Sequence, residues 1–137
     1  MAYLIDHSAL TRRRARPEVR AVLEPLLLSR QVATCAIADM EILYSAEGPA
    51  DYSDTAEALR GLPRAPLDEA CIQRALEVQA MLAERSQHRG VSLPDLLIAA
   101  CAEQGGLTVL HYDSDYELIA SVTGQPTQWV VPRGSVS

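Results

Sequence analysis

The sequence predicts an α/β fold, with a mostly parallel central sheet lying between two layers of helices as a three-layer sandwich. Three observations predict it. Short apolar runs at residues 2–5, 32–35, 107–113 and 128–131 alternate with longer segments of helical spacing. The runs are apolar almost throughout rather than alternating with polar residues, as expected of strands buried on both faces. A chain of 137 residues with 48% hydrophobic composition has enough apolar material for one core. We therefore expect a single domain over residues 1–132, followed by a tail at 133–137.

Each element has its own local signal. Residues 2–5, AYLI, read as a buried strand running into Asp6, with Ser8 as a candidate helix cap. Val19, Val22, Leu23, Leu26 and Leu27 give helical spacing from Pro17 to Leu28, with a possible break at Pro25. VATC at 32–35 predicts a second strand, and 37–46 a helix that stops before Gly48 and Pro49. The stretch 48–66 is rich in Pro, Gly, Asp and Ser and reads as a connecting arm, with a short helix over 53–60. From the candidate cap Asp68, a longer helix carries Ile72, Ala75, Leu76, Met81 and Leu82 inward or onto a dimer face.

The clearest local signal is SLPDLLIAACAEQGG. Ser92 can cap the helix, Pro94 is tolerated in the first turn, Asp95 takes the third position and Gly105 and Gly106 end it. A helix so apolar must be buried against the sheet. LTVLHYD then predicts a strand ending at Asp113. Ser114 and Glu117 have capping-box spacing for a helix stopped by Gly124, and QWVV gives the fourth strand. The tail VPRGS resembles part of a protease-cleavage linker and is left out of the functional reading.

Composition removes several chemistries. All twelve basic residues are arginine, so a Walker-type phosphate loop and Schiff-base catalysis lack their lysine. Receiver domains and haloacid-dehalogenase-type phosphatases, which add a lysine to acidic strand-end pockets, are disfavoured for the same reason. Cys35, Cys71 and Cys101 are odd in number and lie in apolar stretches, which predicts buried free thiols. His7, His88 and His111 show no zinc-like spacing. There is no bilayer-spanning run and the N-terminus does not read as a signal peptide, so the expectation is a cytoplasmic protein with no membrane partner. The net charge is −6, but Arg12, Arg13, Arg14, Arg16 and Arg20 form a basic cluster just after Asp6. Either phosphate contact or a solvated helix face accounts for it.

Asp6, Glu41, Asp95 and Asp113 carry the functional signal. Each is set in apolar sequence at a predicted strand end or within a helix, and ligands of parallel sheets bind beyond the carboxyl ends of strands. Taken one at a time, a turn, a cap or an arginine pair explains most of them. Taken together they predict one carboxylate pocket, whose mutual repulsion calls for a divalent cation.

LIDHSAL around Asp6, the apolar helix carrying Glu41, SLPDLLIAA with Asp95, and VLHYDSDYELIA with Asp113 and Asp115 resemble the PIN-domain ribonucleases, and within them the VapC toxins of type II toxin–antitoxin modules. The resemblance spans nearly the whole chain in the same motif order. It implies a PIN-like α/β/α domain, usually dimeric, that binds Mg²⁺ or Mn²⁺ and cleaves single-stranded regions of RNA. Carried over by position, Asp6, Glu41, Asp95 and Asp113 match the acidic quartet as metal ligands and catalytic residues. Ser8 matches the small hydroxyl residue after the first aspartate, and Asp115 belongs to the same DxD motif as Asp113. Tyr116 stands where the family commonly has phenylalanine. Arg12, Arg13 and Arg14 are candidate RNA contacts. A toxin further implies a cognate VapB-like antitoxin that covers the site. Two other readings are a PIN-like module that binds RNA or protein without significant catalysis, and a metal-dependent phosphohydrolase of small substrates.

Overall fold

A computed structural model describes residues 2–137 and contains four strands: β1 (Tyr3–Ile5), β2 (Val32–Ala33), β3 (Thr108–His111) and β4 (Thr127–Trp129). All pair in parallel in the order β2-β1-β3-β4. Seven helices surround them: α1 (His7–Leu10), α2 (Pro17–Leu28), α3 (Ala36–Tyr44), α4 (Pro49–Arg60), α5 (Glu69–Glu84), α6 (Leu93–Gln104) and α7 (Asp115–Thr123). The predicted layered α/β fold is thus present.

The strands are short, and successive side chains enter different cores. Leu4, Ala33 and Val109 join the larger apolar cluster with residues of α3, α5, α6 and α7. Ile5, Val32 and Leu110 join a second cluster with Ala9, Val19 and Leu23 of α1 and α2. Both sheet faces are therefore covered, which is why the strands read as continuous apolar runs. Among the described residues no helix is long and apolar enough to cross a membrane.

The sheet order fixes where the site forms. From β1 the chain crosses to β2 on one side, and from β3 it crosses to β4 on the other. The connections diverge between β1 and β3, leaving a crevice at their carboxyl ends. Asp6 and Asp113 both follow these two strands.

Several local expectations are corrected. The predicted arm contains a full helix: α4 starts at Pro49, whose fixed φ suits a first helical position, and Asp51 accepts from the Glu47 N–H at 3.0 Å. Pro25 does not break α2, because Pro25 and Ala21 are both on the exposed side, where water can satisfy the carbonyl deprived of its donor. On α5 the buried stripe is Cys71, Ala75, Val78 and Leu82; Ile72 and Leu76 are 40% and 54% exposed. The second strand ends at Ala33, beyond which only an isolated bridge joins Thr34 to Arg64. β3 ends at His111, two residues before Asp113.

Two capping assignments also change. Asp6, not Ser8, caps α1 and accepts from the Ser8 N–H. Ser114 makes no capping hydrogen bond to α7, and Glu117 instead accepts from the Trp129 indole N–H at 2.9 Å and pairs with Arg133 at 3.0 Å. Ser92 and Asp68 cap α6 and α5 as predicted. Gly106 and Gly124 follow α6 and α7 with φ of 66° and 70°, a left-handed geometry that disfavours side chains. The three cysteines are free and buried, as expected.

Candidate active site

The pocket is assembled at the ends of β1 and β3 from groups that the backbone holds tightly. The Asp6 N–H donates to Leu110 O at 3.0 Å, extending the β1–β3 ladder by one residue. Its side chain then turns to cap α1, and Oδ2 accepts from both the N–H and the hydroxyl of Ser8. The Ser8 hydroxyl accepts in turn from the Tyr112 N–H at 2.9 Å, so one serine joins α1 to the segment beyond β3. Asp6 is completely buried.

Asp95 enters from α6. Ser92 accepts from the Asp95 N–H at 3.2 Å, which fixes the first turn with the Asp95 carboxylate pointing inward at 2% exposure. Beyond β3, Asp113 Oδ1 accepts from the Asp115 N–H at 2.9 Å, and Asp115 Oδ2 accepts from the Ser92 N–H at 3.0 Å. These bonds tie the start of α7 to the start of α6. The Asp113 N–H donates to His111 Nδ1 at 3.1 Å, and burial pushes that imidazole down to about 4. His111 is therefore neutral at ordinary pH.

Glu41 projects from α3 and meets His7, whose Nδ1 lies 3.2 Å from Glu41 Oε1 and 3.5 Å from Asp6 Oδ1. A glutamate on this apolar face needs a partner, and His7 stands there. Yet neither Glu41 Oε1 nor His7 Nδ1 has an aligned hydrogen bond, so both are buried polar atoms left open. Contact with Asp6 raises the His7 imidazole to about 9, against the opposing pull of burial. Burial raises the Glu41 carboxyl above its ordinary range.

The acids, together with His7, form two groups whose potential ligand atoms lie within 4.8 Å of one another: Asp6, His7 and Glu41, and Asp95, Asp113 and Asp115. Tyr116, on α7, lies between them. Its hydroxyl is 2.7 Å from Asp6 Oδ1 and 3.1 Å from Asp95 Oδ1, and the residue is completely buried. Burial, Asp115 and the charges of Asp6 and Asp113 push Asp95 up to about 9. Burial pushes Asp6 upward too, but the close His7 imidazole and the hydrogen bonds from Ser8 and Tyr116 outweigh it and leave that carboxylate below its usual range. In the metal-free protein Asp6 is charged and Asp95 neutral.

A hard divalent cation suits this donor set. The groups are mostly carboxylate oxygens, they are crowded, and an open Glu41 oxygen faces the cluster. All four predicted acids, with Ser8 and Asp115, lie at this end of the sheet. The arginines diverge. Arg12 donates to Ser8 O at 2.6 Å and covers the Tyr112 ring, its centroid 4.6 Å away, at the rim of the site. Arg13 pairs with Glu24 at 2.5 Å, and Arg14 lies 4.0 Å from Asp51, both away from the carboxylates.

Two participants escaped the sequence reading. His7 has no zinc-like spacing, and its place next to Asp6 is the signal in the sequence that points to it. Tyr116 enters the sequence reading only as a departure from the family's usual phenylalanine, although a phenol beside two aspartates is a donor where phenylalanine is none.

The PIN domain family model matches residues 3–122. The chain is 46% identical over 136 residues to ribonuclease VapC51 of Mycobacterium tuberculosis, covering 99% of this chain and 98% of that protein. It is 43% identical over 138 residues to ribonuclease VapC18 of the same organism, covering 99% and 100%. Among solved structures it resembles VapBC2 from Rickettsia felis bound to a promoter DNA fragment, with a TM-score of 0.74 at 17% identity, covering 94% of this chain and 99% of that one. It also resembles M. tuberculosis VapC20, a sarcin–ricin loop cleaving toxin, with a TM-score of 0.65 at 15% identity and coverage of 85% and 94%. At such identities the structural likeness speaks for the fold alone. The matched family model and the near-full-length identity to two VapC proteins go further, and this chain belongs to the PIN-domain family, in its VapC branch.

Proposed function

We propose that the protein is a metal-dependent endoribonuclease, the toxin of a type II toxin–antitoxin pair, cleaving single-stranded regions of RNA. The observation that carries this reading is the carboxylate pocket at the β1–β3 crevice, in a chain whose relatives are ribonucleases over their whole length. Asp6, Glu41, Asp95 and Asp113 would hold Mg²⁺ or Mn²⁺, with Asp115 as an accessory acid. When bound, the ion supplies an activated water and neutralises charge building on the scissile phosphate. Ser8 orients Asp6 through two hydrogen bonds to one oxygen, leaving the carboxylate a single direction to face. The buried His111 is neutral, so the positive charge that a cation would meet in the pocket is that of His7, beside Asp6 and Glu41. Arg12 is the best placed of the three candidate arginines for a phosphate entering the pocket, since it already lies at the Ser8 rim.

The partner reading follows from the same family. Solved relatives include VapBC and FitAB complexes, so we propose a VapB-like antitoxin as the cognate partner and a homodimer as the toxin's own assembly. A cleft of about 470 Å³ between α1–α2 and α3–α4, walled by Leu10, Leu27, Ile42 and Leu59, supports docking of an antitoxin segment. Residues 1–132 are read as the functional domain. The tail at 133–137 folds back, and the Tyr112 hydroxyl donates to Val136 O at 2.7 Å.

The test is cleavage of a panel of tRNA, rRNA fragments and single-stranded RNA with Mg²⁺ or Mn²⁺, with EDTA, and with the Asp95→Asn variant. Cutting that requires both the metal and Asp95 supports the nuclease. No cutting of any RNA, together with no metal binding, would replace it with a binding module.

A further inference from the structure

Asp6 and Asp95 reach the pocket from different layers. Asp6 follows a central strand and is anchored by Ser8, while Asp95 hangs from the first turn of α6. Among the described residues Tyr116 is the only side chain whose hydrogen-bonding atom touches both, at 2.7 and 3.1 Å. Its ring is locked: the residue has no exposed surface, and it packs against His111 with centroids 4.9 Å apart. A hydroxyl on a fixed ring has a fixed position. It therefore defines where Asp6 Oδ1 and Asp95 Oδ1 sit, and so how far apart the two acidic groups lie.

We propose that Tyr116 is a positioning residue, whose hydroxyl takes one oxygen of Asp6 and one of Asp95 and so sets the carboxylate spacing that receives the divalent cation. This inference rests on the metal-site reading of the pocket. Groups that orient metal ligands from outside the coordination sphere typically influence affinity by about 10- to 100-fold. The role belongs to the hydroxyl alone, since phenylalanine would fill the same space and make neither bond.

The test is Mn²⁺ calorimetry on the full chain as wild type, as Tyr116→Phe and as Ile119→Val, with the metal-free melting temperature of each. Ile119 is a completely buried neighbour on the same helix, outside the pocket, and reports what loosening α7 alone does. The expected result is that Tyr116→Phe weakens Mn²⁺ affinity by about tenfold or more while Ile119→Val, though less stable, binds as wild type. Wild-type affinity in Tyr116→Phe overturns the inference and leaves the metal site standing. Equal loss in both variants also overturns it, since the hydroxyl would then matter only for stability. If the wild type binds no Mn²⁺, the metal-site reading fails and the inference fails with it.

Discussion

Asp6 and Asp95 share one tyrosine hydroxyl and are pushed in opposite directions, and the difference lies in what else each one meets. Asp6 gains His7, Ser8 and Tyr116 as partners that together outweigh burial, whereas Asp95 has burial and three neighbouring acids against its charge. This gives the metal-free protein a defined pH dependence. Asp95 titrates near 3.8 when unfolded and about 9 when folded, and His7 near 6.5 and about 9. Between pH 6.5 and 9 the folded state therefore holds protons that the unfolded state has released, so stability must fall as pH rises, by about 1.4 kcal/mol per pH unit for each proton. Thermal melts in EDTA across that range should show the decline, and Asp95→Asn should make it shallower by one proton; a profile that rises with pH would refute the assignment. Asp6→Asn can still cap α1 but cannot bring a charge, so we expect a folded protein with RNA cleavage abolished. Wild-type cleavage by that variant would remove Asp6 from the mechanism.

At the scale of elements, helix starts decide where the acids point. Ser92 holds Asp95 by a real cap, while Ser114, which has equally good capping spacing in the sequence, makes none. Urea unfolding should accordingly show a loss of about 1 kcal/mol for Ser92→Ala and under about 0.5 kcal/mol for Ser114→Ala. The same contrast holds along α5, where Leu82→Ala should cost about 2–5 kcal/mol and Leu76→Ala should stay within about 0.5 kcal/mol. Strand positions and the two glycine stops were legible because each depends on a few adjacent residues. The stripe of α5 was not, since Cys71, Ala75 and Val78 are small or weakly hydrophobic and Ile72 and Leu76 look more like core. The helix expected over 53–60 lies within α4, but its first turn was hidden because Pro49 and Asp51 are loop formers in isolation, and only their order at a helix start makes them helical. At the site, the four acids could be read from the chain. The division into two groups could not, because Tyr116 joins Asp6 across 110 residues.

The whole molecule spends conformational freedom to bring like charges together. Three helix starts and two strand ends converge on one crevice, and parallel strand order alone makes them neighbours. Without a cation the fold tolerates this by keeping Asp95 neutral and setting His7 against Asp6 and Glu41. A divalent ion that binds the folded state and not the unfolded chain must then stabilise the molecule as a whole, by about 2.7 kcal/mol when its concentration is a hundred times its Kd. Mn²⁺ or Mg²⁺ should raise the melting temperature of the wild type, EDTA should reverse the rise, and NaCl at matched ionic strength should not reproduce it. Asp95→Asn should be insensitive to the metal yet, near pH 8, melt no lower than the metal-free wild type, because asparagine removes an acid that the fold already holds uncharged. A wild type whose melting temperature ignores both metals would mean that the crevice holds its acids by hydrogen bonds and His7 alone, and would end the case for a metal-dependent nuclease.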